Sequence, residues 1–262
     1  MEPAAFRQFA DLEDRHWWFI GRRRLYPELL AGVLERDLGR PPAGLAVVDV
    51  GCGAGGFLTP LRRFGPVLGL EPDEGALAWC RERGFPRTAA ASIAALPLAD
   101  ASQDLLCLWD VLEHTPDDGA ALREALRCLR PGGHLALSVP AYPWLYSNND
   151  RVAHHYRRYT RRALRERLAA AGFELRKATY VNVTLLPAIV PALLLIKLKE
   201  RLLARSEDPT TNLSWPLPRP AHALLARLFA AERFVLRRFD APAGHSLLAI
   251  ARRPLAGSTP AA

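Results

Sequence analysis

Lysine is nearly missing from this chain. Of the 35 basic residues among 262, only Lys177, Lys197 and Lys199 are lysines, and arginine supplies the rest. With alanine abundant as well, this reads as a coding bias. The formal charge of +8 therefore does not by itself mark a polyanion-binding surface, and the basic residues are dispersed rather than gathered in one tract. No specific nucleic-acid partner is expected. Cysteine is scarce too. Cys52, Cys80, Cys107 and Cys128 stand far apart in apolar contexts with no C-x-x-C pair, which argues against a disulfide framework and a zinc site and leaves buried, reduced thiols. No metal is expected. Residues 2–24 hold no apolar run of signal-peptide length, so a cytoplasmic protein is expected. Only Ala178 to Ile196 is long and uncharged. Asn182, Pro187 and Pro191 interrupt it, against the ~20 apolar residues of a spanning helix. No internal repeat is present.

What the chain does have is one organising stretch, Val47 to Glu71. A β-branched run (Val47, Val48, Val50) of buried-strand length breaks at Gly51, Gly53, Gly55 and Gly56. Glycines there permit a sharp strand-to-helix turn and let backbone N–H groups approach a ligand. A second apolar strand, Val67 to Leu70, ends on Glu71, beside that turn in a doubly wound sheet and suited to the hydroxyls of a ribose. A nucleoside-bearing cofactor follows. The G-x-G-x-x-G spacing with an acid ~20 residues on also fits a nicotinamide enzyme. Against that stand Asp49, whose charge would repel a pyrophosphate and welcome a cation, and the lack of a Tyr-x-x-x-Lys pair, all three lysines lying beyond residue 176.

The string Asp49-Val-Gly51-Cys-Gly53-Ala-Gly55 resembles motif I of the class I S-adenosylmethionine-dependent methyltransferases. A second block, Leu96-Pro97-Leu98-Ala99-Asp100 through Asp110-Val-Leu-Glu113-His114, resembles the "LPF.D.SFD…DVLEH" pattern of the type 11/12-like domains of that family, as does Leu129-Arg-Pro-Gly-Gly133. The resemblance covers residues 16–181 and implies S-adenosylmethionine as cofactor. By it, Asp49, Gly51 and Gly53 cradle the methionine end and Glu71 binds the ribose. Ser92 and Ile93 border the adenine, although the family commonly has an acid at position 92, and Asp110 lies near the sulfonium. The aromatic-basic stretch His16-Trp17-Trp18-Phe19 to Arg24 is either an anchor on the sheet or a lid, with Trp18 offering the sulfonium a cation–π face.

The expected fold is α/β, a Rossmann-like, doubly wound, seven-stranded and mostly parallel sheet with an N-terminal helical lid and a helical insertion between strands six and seven. Residues 1–42 form the lid segment, 43–181 the core, 182–243 an apolar and basic insertion, 244–254 the last strand and 255–262 a disordered tail. The pattern predicts helices over 4–38, 73–84, 118–130, 160–172 and 221–239. Strands are predicted at 47–50, 67–70, 88–92, 104–109, 134–139, 173–181 and 244–250.

The aromatic loop after strand five resembles "VPAY.WLWS.HD….H.RRYT" of a class I subgroup. It lies on the ligand edge, where substrate enters. Tyr142, Trp144, Arg157, Arg158 and Tyr159 are the expected acceptor-binding residues, with salt-bridging of the arginines to Asp150 as the plainer alternative. Asn149 replaces the pattern's first histidine, so that histidine's role does not transfer. For an oxygen acceptor His114 is the expected general base, with His155 as alternative. The apolar insertion, flanked by Lys197, Lys199, Arg201 and Arg205, suits a small-molecule or lipid-linked acceptor with a greasy part and a polar head. The insertion is expected to form a bent apolar cap over the substrate pocket, with peripheral contact of residues 183–205 with an anionic membrane as the second reading and a true span last. A nicotinamide oxidoreductase and a membrane-bound scaffold are the rival readings.

Overall fold

The computed structural model describes residues 10–202, 217–255 and 257. The start of the expected 4–38 helix, most of the 206–220 loop and most of the tail lie outside them. In chain order the elements are α1 (Trp17–Leu38), β1 (Val47–Val50), α2 (Leu58–Leu61), β2 (Val67–Leu70), α3 (Glu74–Glu82), β3 (Thr88–Ala89), β4 (Gln103–Trp109) and α4 (Asp118–Cys128). They continue with β5 (Leu129–Pro140), α5 (Asn148–Val152), α6 (Arg161–Ala170), β6 (Glu174–Val181), α7 (Leu186–Leu202), α8 (Arg219–Ala231), α9 (Arg233–Leu236) and β7 (Ser246–Arg252).

The seven strands form one sheet in the order β3-β2-β1-β4-β5-β7-β6, parallel except for β7, which runs antiparallel to both neighbours. The order reverses between β1 and β4, and in open α/β sheets a ligand crevice forms outside the carboxyl ends at such a point. Alternation along the strands separates two cores. Val48, Val50, Leu106, Leu108, Leu135 and Leu137 face α4 and α6 through Leu122, Ala125, Leu164 and Leu168. Val47, Leu105, Cys107, Leu248 and Ile250 face α1 and α8.

α1 is part of the second core rather than a separate lid. Leu25, Tyr26, Leu29, Leu30, Val33 and Leu34 are buried on the sheet, and only Trp17, Trp18, Phe19 and Arg22 of its first two turns border the crevice. The expected long helix breaks before residue 17, where His16 caps α1 by accepting Trp18 N–H at its Nδ1 (3.3 Å). α8 crosses α1 at Gly21, where a Cβ would lie 2.4 Å from Phe229 Cδ1. Two other helix starts follow local chemistry: Asp73 accepts from Ala76 N–H and Thr160 from Ala163 N–H.

Three boundaries differ from expectation in a way that bears on the architecture. Strand three shrinks to Thr88–Ala89. The helix expected to Arg130 stops at Cys128, and β5 takes in Pro131-Gly132-Gly133, because Gly132 and Gly133 pair with Arg253 at the end of β7. The helix expected over 221–239 splits at Glu232. Its carboxylate turns inward to accept the N–H groups of Asn182, Val183 and Thr184 (2.9, 2.7 and 2.9 Å) and the Thr184 hydroxyl, pinning the start of the insertion to α8.

Candidate cofactor and acceptor site

Behind β1 the chain turns through Gly51 and Gly53 with left-handed backbone (φ +70° and +54°). At Gly51 a Cβ would sit 2.5 Å from Val111 Cγ2, so only glycine fits. The Gly53 and Asp73 N–H groups donate to the two oxygens of Glu71 (2.9 and 3.1 Å), fixing that carboxylate beside the turn. Burial raises its pKa, and those two amides offset only part of the rise.

Asp49 is 1 % exposed, and neither of its carboxylate oxygens has a hydrogen-bond partner. Burial, reinforced by Cys80 and Glu13, pushes its pKa well above the usual carboxylate range. An unpaired carboxylate out of water is expensive unless a cation meets it. A cradle of left-handed glycines over such a group fits a ligand with a cationic end.

Asp49, Gly51, Gly53, Glu71, Ser92, Ile93, Asp110 and Trp18 all line one cavity of about 1140 Å³ over the carboxyl ends of the strands. That exceeds the ~300–1,000 Å³ typical of a single small-molecule site, leaving room for two ligands side by side. Ser92 Oγ already accepts Ala94 N–H (3.3 Å). Asp110 is less free than the sequence implies. Its Oδ1 accepts the Ser138 hydroxyl (2.8 Å), and its Oδ2 forms an ion pair with Arg22 Nη1 (2.5 Å). The Arg22 guanidinium in turn lies 4.1 Å from the centre of the Trp18 ring, so arginine takes the cation–π face expected for a sulfonium.

His114, His155 and Arg158 also line the cavity. His155 Nδ1 and Arg158 Nε both donate to Asp150 Oδ1 at 2.8 Å. Burial alone would raise the Asp150 pKa, but these two donors hold it at about 2. The His114 ring meets the His155 ring edge-to-face at 4.6 Å. Burial first, and then His155, lower the His114 pKa to about 3, far below the working range of a general base near neutrality.

The other four expected acceptor residues do not line the cavity. Tyr142 stacks on Tyr180 and receives Gly244 N–H at its hydroxyl, and Trp144 is 53 % exposed. Arg157 donates to Pro116 O and pairs with Asp118, while the buried Tyr159 hydroxyl donates to Asp118 Oδ2 (2.9 Å). Asp118 thus draws two members of the loop beneath the sheet edge.

In their place the structure brings in residues that carried no expected role of their own. Arg22 is one. Asn182 is fully buried with left-handed backbone (φ +58°) and neither amide atom partnered, and His245 Nδ1 is also unpartnered. Glu113 is 0 % exposed, and both its oxygens lack partners. Only Glu113 had a local signal, as the neighbour of His114 in the second motif block.

The fold and site together define a Rossmann-like domain built for a nucleoside cofactor with a cationic end. Residues 48–137 match the family model described as "Methyltransferase domain". A "Probable S-adenosylmethionine-dependent methyltransferase" of Mycolicibacterium smegmatis is 31% identical over 175 residues, covering 64% of this chain and 63% of that protein. A ubiquinone biosynthesis O-methyltransferase of Ruegeria pomeroyi is 36% identical over 115 residues, covering 40% and 45%. A crystal structure of an S-adenosylmethionine-dependent methyltransferase from Archaeoglobus fulgidus superposes with a TM-score of 0.54 at 17% identity, covering 94% of this chain and 99% of that one. The chain thus spans less than two thirds of the length of either curated relative. Residues 48–137 thus match a methyltransferase domain, and the sheet they belong to shares its fold with structures of S-adenosylmethionine-dependent methyltransferases. Among the described residues no helix is long and apolar enough to cross a membrane.

Proposed function

We propose that this protein methylates an acceptor with a polar head and an apolar part, using S-adenosylmethionine. The observation that carries the reading is Asp49, buried and unpartnered beneath the glycine turn with Glu71 beside it. S-adenosylmethionine bound there supplies an electrophilic methyl group on a sulfonium. Asp49 meets its ammonium, the glycine turn lets the backbone approach, and Glu71 accepts from the ribose hydroxyls. The remaining volume, walled by Arg158, Asn182 and His245, holds the acceptor head in line in a water-poor space. The apolar part follows Ile189 and Leu193 of α7, which line the cavity. Leu194, Leu195 and Leu198 of the same helix are exposed, a route from a lipid surface to the site.

Calorimetric titration with S-adenosylmethionine, S-adenosylhomocysteine and NAD tests the cofactor. Micromolar binding of the first two, lost in Glu71→Ala, is expected. Binding of NAD alone would overturn the reading.

A further inference from the structure

We propose that Glu113, His114 and His155 form a binding site for one divalent transition-metal ion on the acceptor side of the cavity. The placement of the ion beside an acceptor rests on the function proposed above; the site itself does not.

Two chain segments converge to make it. Glu113 and His114 sit on a single 3-10 turn, Leu112–His114, just past β4, and His155 comes from the loop after α5. Tyr156 N–H donates to Glu113 O (2.8 Å), which pins loop to turn beside the three side chains. One nitrogen from each histidine and one Glu113 oxygen lie within 4.8 Å of one another. A metal with bonds of ~2.1 Å draws such ligands closer, a movement of roughly an ångström that side-chain rotation supplies.

Two of the three ligands are prepared for a cation in their own ways. Glu113 is 0 % exposed, and no donor reaches either oxygen, so its lone pairs are unused where water cannot compensate. His155 gives Nδ1–H to Asp150, which leaves the Nε2 lone pair to the cavity. A carboxylate behind a ligating imidazole in this way fixes the ring and its tautomer. Asp150 is itself locked by Arg158 Nε and Ser147 N–H (2.8 and 2.9 Å). The two rings approach edge-to-face, and no carboxylate bridges them.

Charge points the same way. Asp110 is matched by Arg22 and Asp150 by Arg158, but Glu113 has no arginine or lysine partner. Ligated by this one carboxylate, a divalent ion leaves one positive charge facing the acceptor. Two imidazoles and one carboxylate suit zinc, manganese, iron(II) or cobalt(II) better than magnesium or calcium, and three protein ligands leave positions open. An acceptor hydroxyl coordinated there would lose its proton to water more readily. Its oxygen pair then forms the bond to the methyl carbon as the carbon–sulfur bond breaks toward sulfur, giving a methyl ether and neutral S-adenosylhomocysteine. The acceptor class is therefore a hydroxyl compound, best one with a second oxygen within chelating distance.

The test uses the full chain, stripped with chelator and titrated with Co²⁺ by absorbance and Zn²⁺ by calorimetry. S-adenosylmethionine binding and thermal melting are measured on the same samples. One equivalent of each metal is expected, with affinity falling at least tenfold in Glu113→Gln and in His155→Ala while cofactor affinity stays unchanged. Millimolar Mg²⁺ should not displace Co²⁺. Should either variant fail to melt cooperatively, His114→Ala replaces it. Absence of stoichiometric uptake, or uptake untouched by the substitutions, overturns the site, as does displacement by Mg²⁺ for the class of metal. Metal uptake without cofactor binding would instead overturn the proposed function and leave the site standing.

Discussion

Replacing Asp49 by asparagine separates a carboxylate built for a ligand from one built for the fold. Its two oxygens are buried and unpartnered in the free protein, so the fold gains nothing from their charge. An unsatisfied buried polar group costs ~1–3 kcal/mol. Asparagine keeps the shape and cannot ionise, so the free variant should melt at or above the wild-type temperature. Toward the cofactor the effect reverses. A hydrogen bond to a charged group is worth ~1.5–3 kcal/mol, which predicts S-adenosylmethionine binding weakened roughly 10- to 150-fold by calorimetry. The pH dependence carries a further sign. Burial raises the pKa of Asp49 in the folded free protein above its unfolded value. The free protein therefore holds a proton there below that raised pKa, and this proton must leave when an ammonium binds. Wild-type affinity should tighten as pH rises toward the raised pKa, with heats that depend on buffer ionisation, and the asparagine variant should lose this component. Wild-type affinity in Asp49→Asn, or a melting temperature many degrees lower, would refute the assignment.

Three further outcomes are expected. Gly21→Ala places a methyl group 2.4 Å from Phe229 Cδ1 at the α1–α8 crossing, an overpacking worth ~1–3 kcal/mol that thermal melts should register as a fall of several degrees. The Asp150 pKa is lowered from 3.8 to about 2, so its stabilising contribution of about 2 kcal/mol is complete above pH ~4 and disappears as pH falls through 2; acid unfolding of Asp150→Asn should lack that increment. Changing Leu194, Leu195 and Leu198 together to glutamate should abolish sedimentation with anionic liposomes and leave S-adenosylmethionine affinity intact; equal sedimentation of variant and wild type would remove α7 as the contact.

The legible parts of the sequence were those whose signal is local. The glycine turn, Glu71 at the end of β2 and the caps Asp73 and Thr160 are each set by a few adjacent residues, and the structure places them as the pattern predicts. The acceptor side was not legible, because its residues converge from distant segments. Arg22 meets Asp110 across 88 positions of chain, and Asn182 and His245 arrive from the two ends of the insertion. Within the loop after β5 the residue types were informative but their directions were not. Of two adjacent arginines, Arg158 turns to Asp150 in the cavity and Arg157 to Pro116 and Asp118 outside it. Which arginine turns inward depends on where Asp118, in another element, offers its carboxylate.

The same convergence explains where this fold tolerates local cost. Asp110 and Asn182, directly after β4 and β6, and Tyr142, two residues after β5, all have positive φ without being glycine, at ~1–3 kcal/mol each. Asp49, Glu113 and Asn182 add buried polar atoms without partners. Acids elsewhere are spent on structure: Asp73 and Asp117 cap helices, and Glu232 binds four donors at the root of the insertion. Strain and unmet polarity thus collect at the carboxyl edge of the sheet, while the two cores on its faces hold it in place. An edge so arranged gains most when ligands arrive. Each ligand that satisfies Asp49, Glu113 or Asn182 stabilises the folded state by RT ln(1 + [L]/Kd), about 2.7 kcal/mol at a hundredfold excess over Kd. Cofactor and acceptor, contacting different members of this set, should therefore raise the melting temperature by separable and roughly additive increments.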